Sequence, residues 1–246
     1  MTNTEPRMTN TEPRSPFTRR GFIAAAIVVG VIVLAAIIVL VTTLTRGATD
    51  TPKPTTTASA STAPTGSAAD KSVCGLTGLD AKSTLTEAPD SKWELVGTVA
   101  APTDPLGSGP GISATNGFRS CFAHTAKGAL YATANMLAMG SDARLQPLLA
   151  DKLAVPGPGR DVAMKAPASD TKIRYQIAGY KITAYNKDEA TVDLAVTVSS
   201  GQTASVPFLI RWSGGDWKAV LTDQGQPPLK SAPLQNLGGY TPWAGA

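Results

Sequence analysis

The stretch Phe22 to Leu44 constrains this chain more than any other: 23 residues without a charge, built almost wholly of Ile, Val, Leu and Ala. At 1.5 Å per residue such a helix is ~34 Å long, enough to cross a hydrocarbon core of ~30 Å with some tilt. Arg7, Arg14, Arg19 and Arg20 precede it and only Arg46 follows closely. The positive-inside rule therefore puts the N-terminus in the cytoplasm and everything after Thr45 outside the cell membrane, as a single-pass protein. A cleaved secretory signal has a shorter apolar core and a small-residue cleavage site, which the following Thr-Leu-Thr-Arg-Gly does not supply. Thr18-Arg19-Arg20-Gly21-Phe22-Ile23 also fits a twin-arginine export signal, although the apolar run is longer than that route needs.

Charge follows the same division. The net charge is +4, and the first 20 residues supply half of it, four Arg against two Glu. From Lys71 onward 16 basic residues face 14 acidic ones, a balance of +2 that makes no footprint for nucleic acid. The sequence thus divides into a cytoplasmic tail (1–20), a membrane helix (21–45), a linker (46–72), one extracytoplasmic domain (73–225) and a C-terminal extension (226–246).

The tail opens with the heptapeptide MTNTEPR written twice, Met1 to Arg7 and Met8 to Arg14. It is too short to be a packing repeat and suggests slippage or an alternative start at Met8. The linker is Thr, Ser, Ala, Pro and Gly with almost nothing to bury, so a disordered stalk reaching on the order of 30 to 60 Å is expected. Two cysteines, Cys74 and Cys121, lie beyond the span, where the compartment is able to be oxidising. An even pair there suggests one disulfide; two unrelated thiols or a reactive thiol are the alternatives.

Within the domain, Cys74 to Arg119 is rich in Gly and Pro and reads as loops, with a short helix at Asp80 to Leu85 and a strand around Trp93 to Val99. Phe122, Ala126, Ala129, Leu130, Thr133, Ala134 and Leu137 recur at helical spacing, with Thr125 placed to cap the start and Gly140 the end. Ser141 is placed to cap a second helix through Leu145 and Leu149, and Asp151 to Asp170 reads as a loop. The period then changes to 2. Ile173, Tyr175 and Ile177 share one parity and Tyr180, Ile182 and Ala184 the other, so a β-bulge is expected at Gly179. Val192 to Val198, Val206 to Trp212 and Trp217 to Leu221 complete a four-strand antiparallel meander. Helices followed by one bent meander argue an α+β fold, helices packed on one face of a curled sheet of four or more strands.

No reactive set emerges from these residues. His124 is the only histidine, three residues after Cys121, and becomes a packing residue if that sulfur is bonded elsewhere. One His and two Cys do not fill a zinc shell. Asp188 and Glu189 sit in a hairpin turn and read as solvated. Gly107 to Gly111 lacks the Lys-Ser/Thr of a phosphate loop. Trp93, Trp212, Trp217 and Trp243 read as core or hairpin residues, although a curled sheet is able to hold an apolar ligand at its mouth. The tail with Pro227-Pro228, Leu234, Leu237, Tyr240 and Trp243 is expected to dock on a partner or back on its own domain.

The run Ile210-Arg-Trp-Ser-Gly-Gly-Asp-Trp217-Lys-Ala-Val220, after a span and a Thr/Pro stalk, resembles the nuclear-transport-factor-2-like fold of membrane-anchored components of conjugation and type IV secretion machines. Cys74-Gly-Leu, Gly109-Pro110, Cys121-Phe-Ala-His-Thr125 and Gly128-Ala-Leu130 resemble membrane proteins encoded on actinobacterial plasmids and integrative elements. The resemblance implies a cone-shaped domain with no catalytic residues to carry over, and the residues themselves point to no metal or cofactor. It implies a scaffold role in a DNA-transfer apparatus, partnered by its other membrane components or by further copies of the chain. A membrane-anchored ligand- or lipid-binding domain of the envelope is the alternative.

Overall fold

The computed structural model describes residues 71–83, 85–169 and 174–245. The apolar run 22–44, the doubled heptapeptide and the linker up to residue 70 lie outside the described residues. Among those that are described, no helix is long and apolar enough to cross a membrane.

The domain begins with two small ladders. Strands β1 (Lys92–Val96) and β2 (Val99–Thr103) form an antiparallel hairpin around Gly97 and Thr98, and β3 (Ile112–Ser113) pairs with β4 (Arg119–Ser120). The expected strand through Val99 is thus two strands. Among the described residues of the stretch Asp80 to Leu85 the expected helix is absent; the Asp80 carboxylate instead accepts the N–H of Ala126. That bond satisfies one of the orphan donors at the start of α1 (Ala126–Gly140). Thr125 caps the same end, its hydroxyl accepting the Gly128 N–H.

Helix α1 is buried nearly all round: only Lys127, Leu137 and Gly140 are not. Its small residues let the chain come close. A Cβ on Gly128 would lie 2.0 Å from the carbonyl oxygen of Ala123, so a side chain there would clash with backbone. Its polar side chains turn inward but are engaged. Asn135 donates to the carbonyls of Pro102 and Tyr131, and Thr133 to that of Ala129. Arg119, 6% exposed, ties β4 to this helix and to β1, donating to Asn135 and pairing with Glu94 at 2.6 Å. Ser141 ends α1 rather than starting the next helix, its hydroxyl donating back to Ala138. Helix α2 (Gln146–Leu153) carries Pro147 in its first turn, where a missing N–H is tolerated. The stretch read as loop after it holds a short helix, α3 (Pro158–Ala163).

The rest is sheet. Strands β5 (Tyr175–Tyr185), β6 (Glu189–Val198), β7 (Thr203–Ser213) and β8 (Asp216–Ala219) make the antiparallel meander, and two strands from the tail extend it. β10 (Thr241–Pro242) pairs with β5 on one edge, and β9 (Ala232–Leu234) pairs with β7 beside β8 on the other.

The expected cone of the nuclear-transport-factor-2 type is overturned. The described residues form an open six-stranded antiparallel sheet in a sheet-rich domain with few helices, neither closed nor curled. The reason lies in β5. The β-bulge expected at Gly179 is present, the ladder slipping by one residue between Ile177 and Gly179 and resuming at Gly179 opposite Ala195, but the sheet does not curl around it. A second slip follows between Ile182 and Ala184. Two bulges in one strand absorb the extra residues locally, and β5 and β6 stay paired along their length.

The core lies between α1 and the sheet, where Leu130, Tyr131 and Met139 meet Ile177, Val192, Leu194 and Ile210. The tail belongs to it. Tyr240 and Trp243 are buried, and the Tyr240 hydroxyl donates to Asp193 at 2.7 Å. Asp193 also accepts from Ser205 and lies 3.8 Å from the Lys181 ammonium, which sits over the Tyr240 ring. Tyr240→Phe removes one bond to a buried carboxylate and is expected to cost about 1.5 to 3 kcal/mol. Amide exchange at Thr241 and Trp243, measured by mass spectrometry, is the readout, and unchanged exchange there would refute this anchoring role.

Candidate functional site

Each residue singled out in the sequence has a definite place. Cys74 and Cys121 are joined by a disulfide, with their Cα atoms 6.1 Å apart. Beside them, Asp216 is 4% exposed and its carboxylate accepts the N–H groups of Cys121, Phe122 and Trp217 at 2.7 to 2.9 Å. Burial pushes the Asp216 carboxyl up to about 6, against those three bonds, which favour the charged form. Cys121 adopts φ 66°, the left-handed region, so that two successive backbone N–H groups converge on one carboxylate.

His124 is 1% exposed and lies in the same neighbourhood. Its ring stacks on Trp212 at 3.9 Å and meets the edge of Trp217 at 5.7 Å, while Nε2 donates to the carbonyl of Lys187. Trp212 and Trp217 are themselves opposite one another across β7 and β8. The Trp217 indole donates to the Ala123 carbonyl. Cysteine, histidine and aspartate are thus brought into one region, yet the sulfur is bonded, the imidazole is stacked and the carboxylate is filled by amides. This cluster holds the start of α1 against the β7–β8 hairpin.

The remaining candidates lie elsewhere. Asp188 pairs with Lys187 and Glu189 with Arg211, both at the surface. The Gly107 to Gly111 loop wraps Asp104, which accepts the Ser108 N–H on its carboxylate. Trp93 packs on Trp243 at 4.7 Å, and the Trp243 indole donates to Pro89 and Ser91. Among the described residues, no three His, Cys, Asp or Glu side chains are grouped so that they could hold a metal ion.

What periodicity did not reveal is a cleft of about 590 Å³ between the helices and the sheet. α1 contributes Met136 and Leu137, α2 Leu149 and Leu153, β7 Phe208 and Leu209, and β8 with the residues after it Ala219, Val220 and Leu221. Ala163 of α3 and the turn at Gly225 and Pro227 close one side. Met136, Leu153 and Ala154 are buried at its base, whereas Ser169 and Pro227 are exposed. Gln146, Ser169 and Tyr175 bring the polar side chains of the wall; among the described residues no Asp, Glu, His, Lys, Arg or Cys lines it. The Tyr175 hydroxyl donates to the Leu137 carbonyl, and burial pushes its ionisation up to about 12, so it stays neutral. The sequence signal for this cleft was the half-buried apolar surface of β7, where Val206, Pro207, Phe208 and Leu209 are apolar on both parities.

Comparison with curated proteins finds no match. Among solved structures the chain is similar to a proposed aromatic ring hydroxylase from Novosphingobium aromaticivorans, at 16% identity over 30% of this chain and 57% of that one, with a TM-score of 0.17. The chain thus spans little more than half of that protein, and at such a score the likeness carries no argument. The model of a domain of unknown function, DUF8175, matches residues 52–242. That stretch includes the disulfide, the cleft and every strand of the sheet, and the chain belongs to the DUF8175 family.

Proposed function

We propose that this chain is a binding protein rather than an enzyme, and that it takes an uncharged apolar molecule into the cleft between α2 and the sheet. The observation that carries the reading is the cleft itself. Its volume of about 590 Å³ falls within the span of ~300 to 1,000 Å³ usual for small-molecule sites. Its wall is aliphatic with two aromatic rings, and among the described residues its lining lacks the carboxylate, imidazole, amine or thiol that acid-base or nucleophilic chemistry requires.

Titration of the chain with N-phenyl-1-naphthylamine, an uncharged probe that brightens in apolar surroundings, tests this. Saturable binding is expected, and Ala150→Trp, which fills the cleft from α2, is expected to weaken it at least about tenfold by occupying the probe's volume. Non-saturable binding, or saturable binding that Ala150→Trp leaves unchanged, would refute the reading.

The organisation of the sequence supports a second proposal, that the domain works beyond the membrane as part of an envelope assembly such as a conjugative transfer apparatus. The apolar run 22–44 and the Ser/Thr/Pro-rich linker would tether it there. Affinity recovery of the full chain from detergent extracts, together with the transfer proteins of its genetic element, is the expected result. Recovery as a solitary monomer counts against it.

A further inference from the structure

We infer that the cleft receives one acyl chain of an anionic bilayer phospholipid, while the head group stays outside against a rim that meets the bilayer surface. The inference rests on the apolar-ligand reading above and adds the class of ligand and its source.

The first ground is the state of the polar groups on the wall. Gln146 donates to the carbonyls of Gly140 and Ser169 and accepts the N–H of Ser169, and Tyr175 donates to Leu137. A phosphate or carboxylate drawn into the cleft would lose its hydration and find no cation among the described lining residues in return. The wall suits methylene groups and rejects a charged end, so the charged end of an amphiphile remains at the mouth.

The rim supplies the second ground. α3 and the turn after β8 form one side of the cleft and are locked together at two glycines. A Cβ on Gly159 would lie 2.1 Å from the Thr222 carbonyl oxygen, and one on Gly225 would lie 3.0 Å from the Ala163 nitrogen. From these joined segments three large apolar residues face solvent: Val162 at 45% exposure, Met164 at 41% and Leu229 at 36%. Met164 is followed by the exposed Lys165, and Leu229 by the exposed Lys230. Asp161 and Asp223 are exposed on the same segments and balance the two lysines. The match to a bilayer interface therefore rests on the apolar side chains with Lys165 and Lys230 directly beside them, where hydrocarbon lies just beneath anionic phosphate. A small water-soluble ligand would need neither. A free fatty acid shares the hydrocarbon chemistry, but its carboxylate needs no surface on which the rim could land.

The test uses the full chain in phospholipid nanodiscs containing phosphatidylglycerol doped with a phospholipid that carries a diazirine at the end of one acyl chain. After illumination and digestion, label is expected within residues 136–154 and 206–221. The same lipid with its diazirine on the head group is expected to label residues 162–165 and 228–230. Lys165→Glu combined with Lys230→Glu, or discs of pure phosphatidylcholine, is expected to lower cleft labelling by roughly tenfold. Acyl-chain label confined to residues 22–44 would overturn the inference. So would equal cleft labelling by a free diazirine palmitate that the lysine substitutions leave unchanged, which would assign the site to soluble fatty acid. If the naphthylamine probe binds and Ala150→Trp blocks it while no lipid label reaches the cleft, only the lipid assignment fails. Absence of both overturns the apolar-ligand reading as well.

Discussion

Asp216→Ala is expected to destabilise the folded domain by about 3 to 5 kcal/mol, read as a lower thermal or urea midpoint in tryptophan fluorescence. The side chain is short, but it is the acceptor for three buried amides, at Cys121, Phe122 and Trp217. Each amide left without a partner costs about 1 to 3 kcal/mol. Asn is no remedy, because its amide nitrogen would face either the Cys121 N–H or the pair from Phe122 and Trp217. A change below about 1 kcal/mol would mean that water reaches these amides and that the cluster is not the brace described here.

The same carboxyl gives stability a pH dependence whose sign is opposite to that of a salt-bridged aspartate. In the folded chain Asp216 holds its proton up to about pH 6, and in the unfolded chain it releases it near the ordinary value of 3.8. Between the two the folded form binds more protons, so this group's contribution to stability is greatest below about pH 4 and falls as pH rises through about 6. With the carboxyl almost wholly buried, the change is roughly 2 to 3 kcal/mol. Urea midpoints between pH 4 and 7 are expected to show it, and Asp216→Asn, though weaker throughout, to lose that part of the slope. A parent chain and an Asn variant with parallel pH profiles would refute the assignment.

Removing the disulfide is expected to have the second large effect. Replacing both Cys74 and Cys121 with Ala opens a loop of 47 residues and is expected to cost about 3 to 4 kcal/mol in the chain-entropy account. The bond also holds the segment that enters the domain, where the Val73 N–H donates to the Gly215 carbonyl and Leu76 packs on Cys121 and Ala123. Loss of the bond should therefore expose residues 71–79 to protease before the sheet is touched. Backbone conformation supplies an internal control. Cys121 has φ 66°, so Cys121→Gly with Cys74→Ala should retain about 1 kcal/mol more stability than the double Ala variant. Equal stability for the two would show that this backbone relaxes once the sulfur is gone.

The parts legible in the sequence are those whose physics is local. The cap at Thr125 needs only a hydroxyl three residues from an N–H, and it formed. The alternation that marks β6 needs only a period of 2, and that strand lies where the pattern runs, with β7 following it after the turn at Ser199 to Gln202. The slip at Gly179 was likewise visible as a change of parity. Its consequence was not, because whether a bulge curls a sheet or is absorbed depends on the neighbouring strand, and β6 kept its pairing on both sides of the slip.

By itself, then, the sequence determined the helix that follows Cys121, the meander, and the separation of both from an apolar run and a polar linker. Each of these is dictated by side-chain spacing within about a dozen residues. Only the tertiary structure decided that the two bulges of β5 are absorbed against β6 and the sheet stays open, and that its edges are extended by β9 and β10, short strands containing Pro233 and Pro242 that no periodicity could mark. It also made Asp216 a buried acceptor for amides 94 and 95 residues away, and it gathered apolar residues from α1, α2, β7 and the chain after β8 around one cleft. These outcomes depend on which distant surfaces exclude water together, and that is set by packing between segments rather than by the order of residues within any one of them.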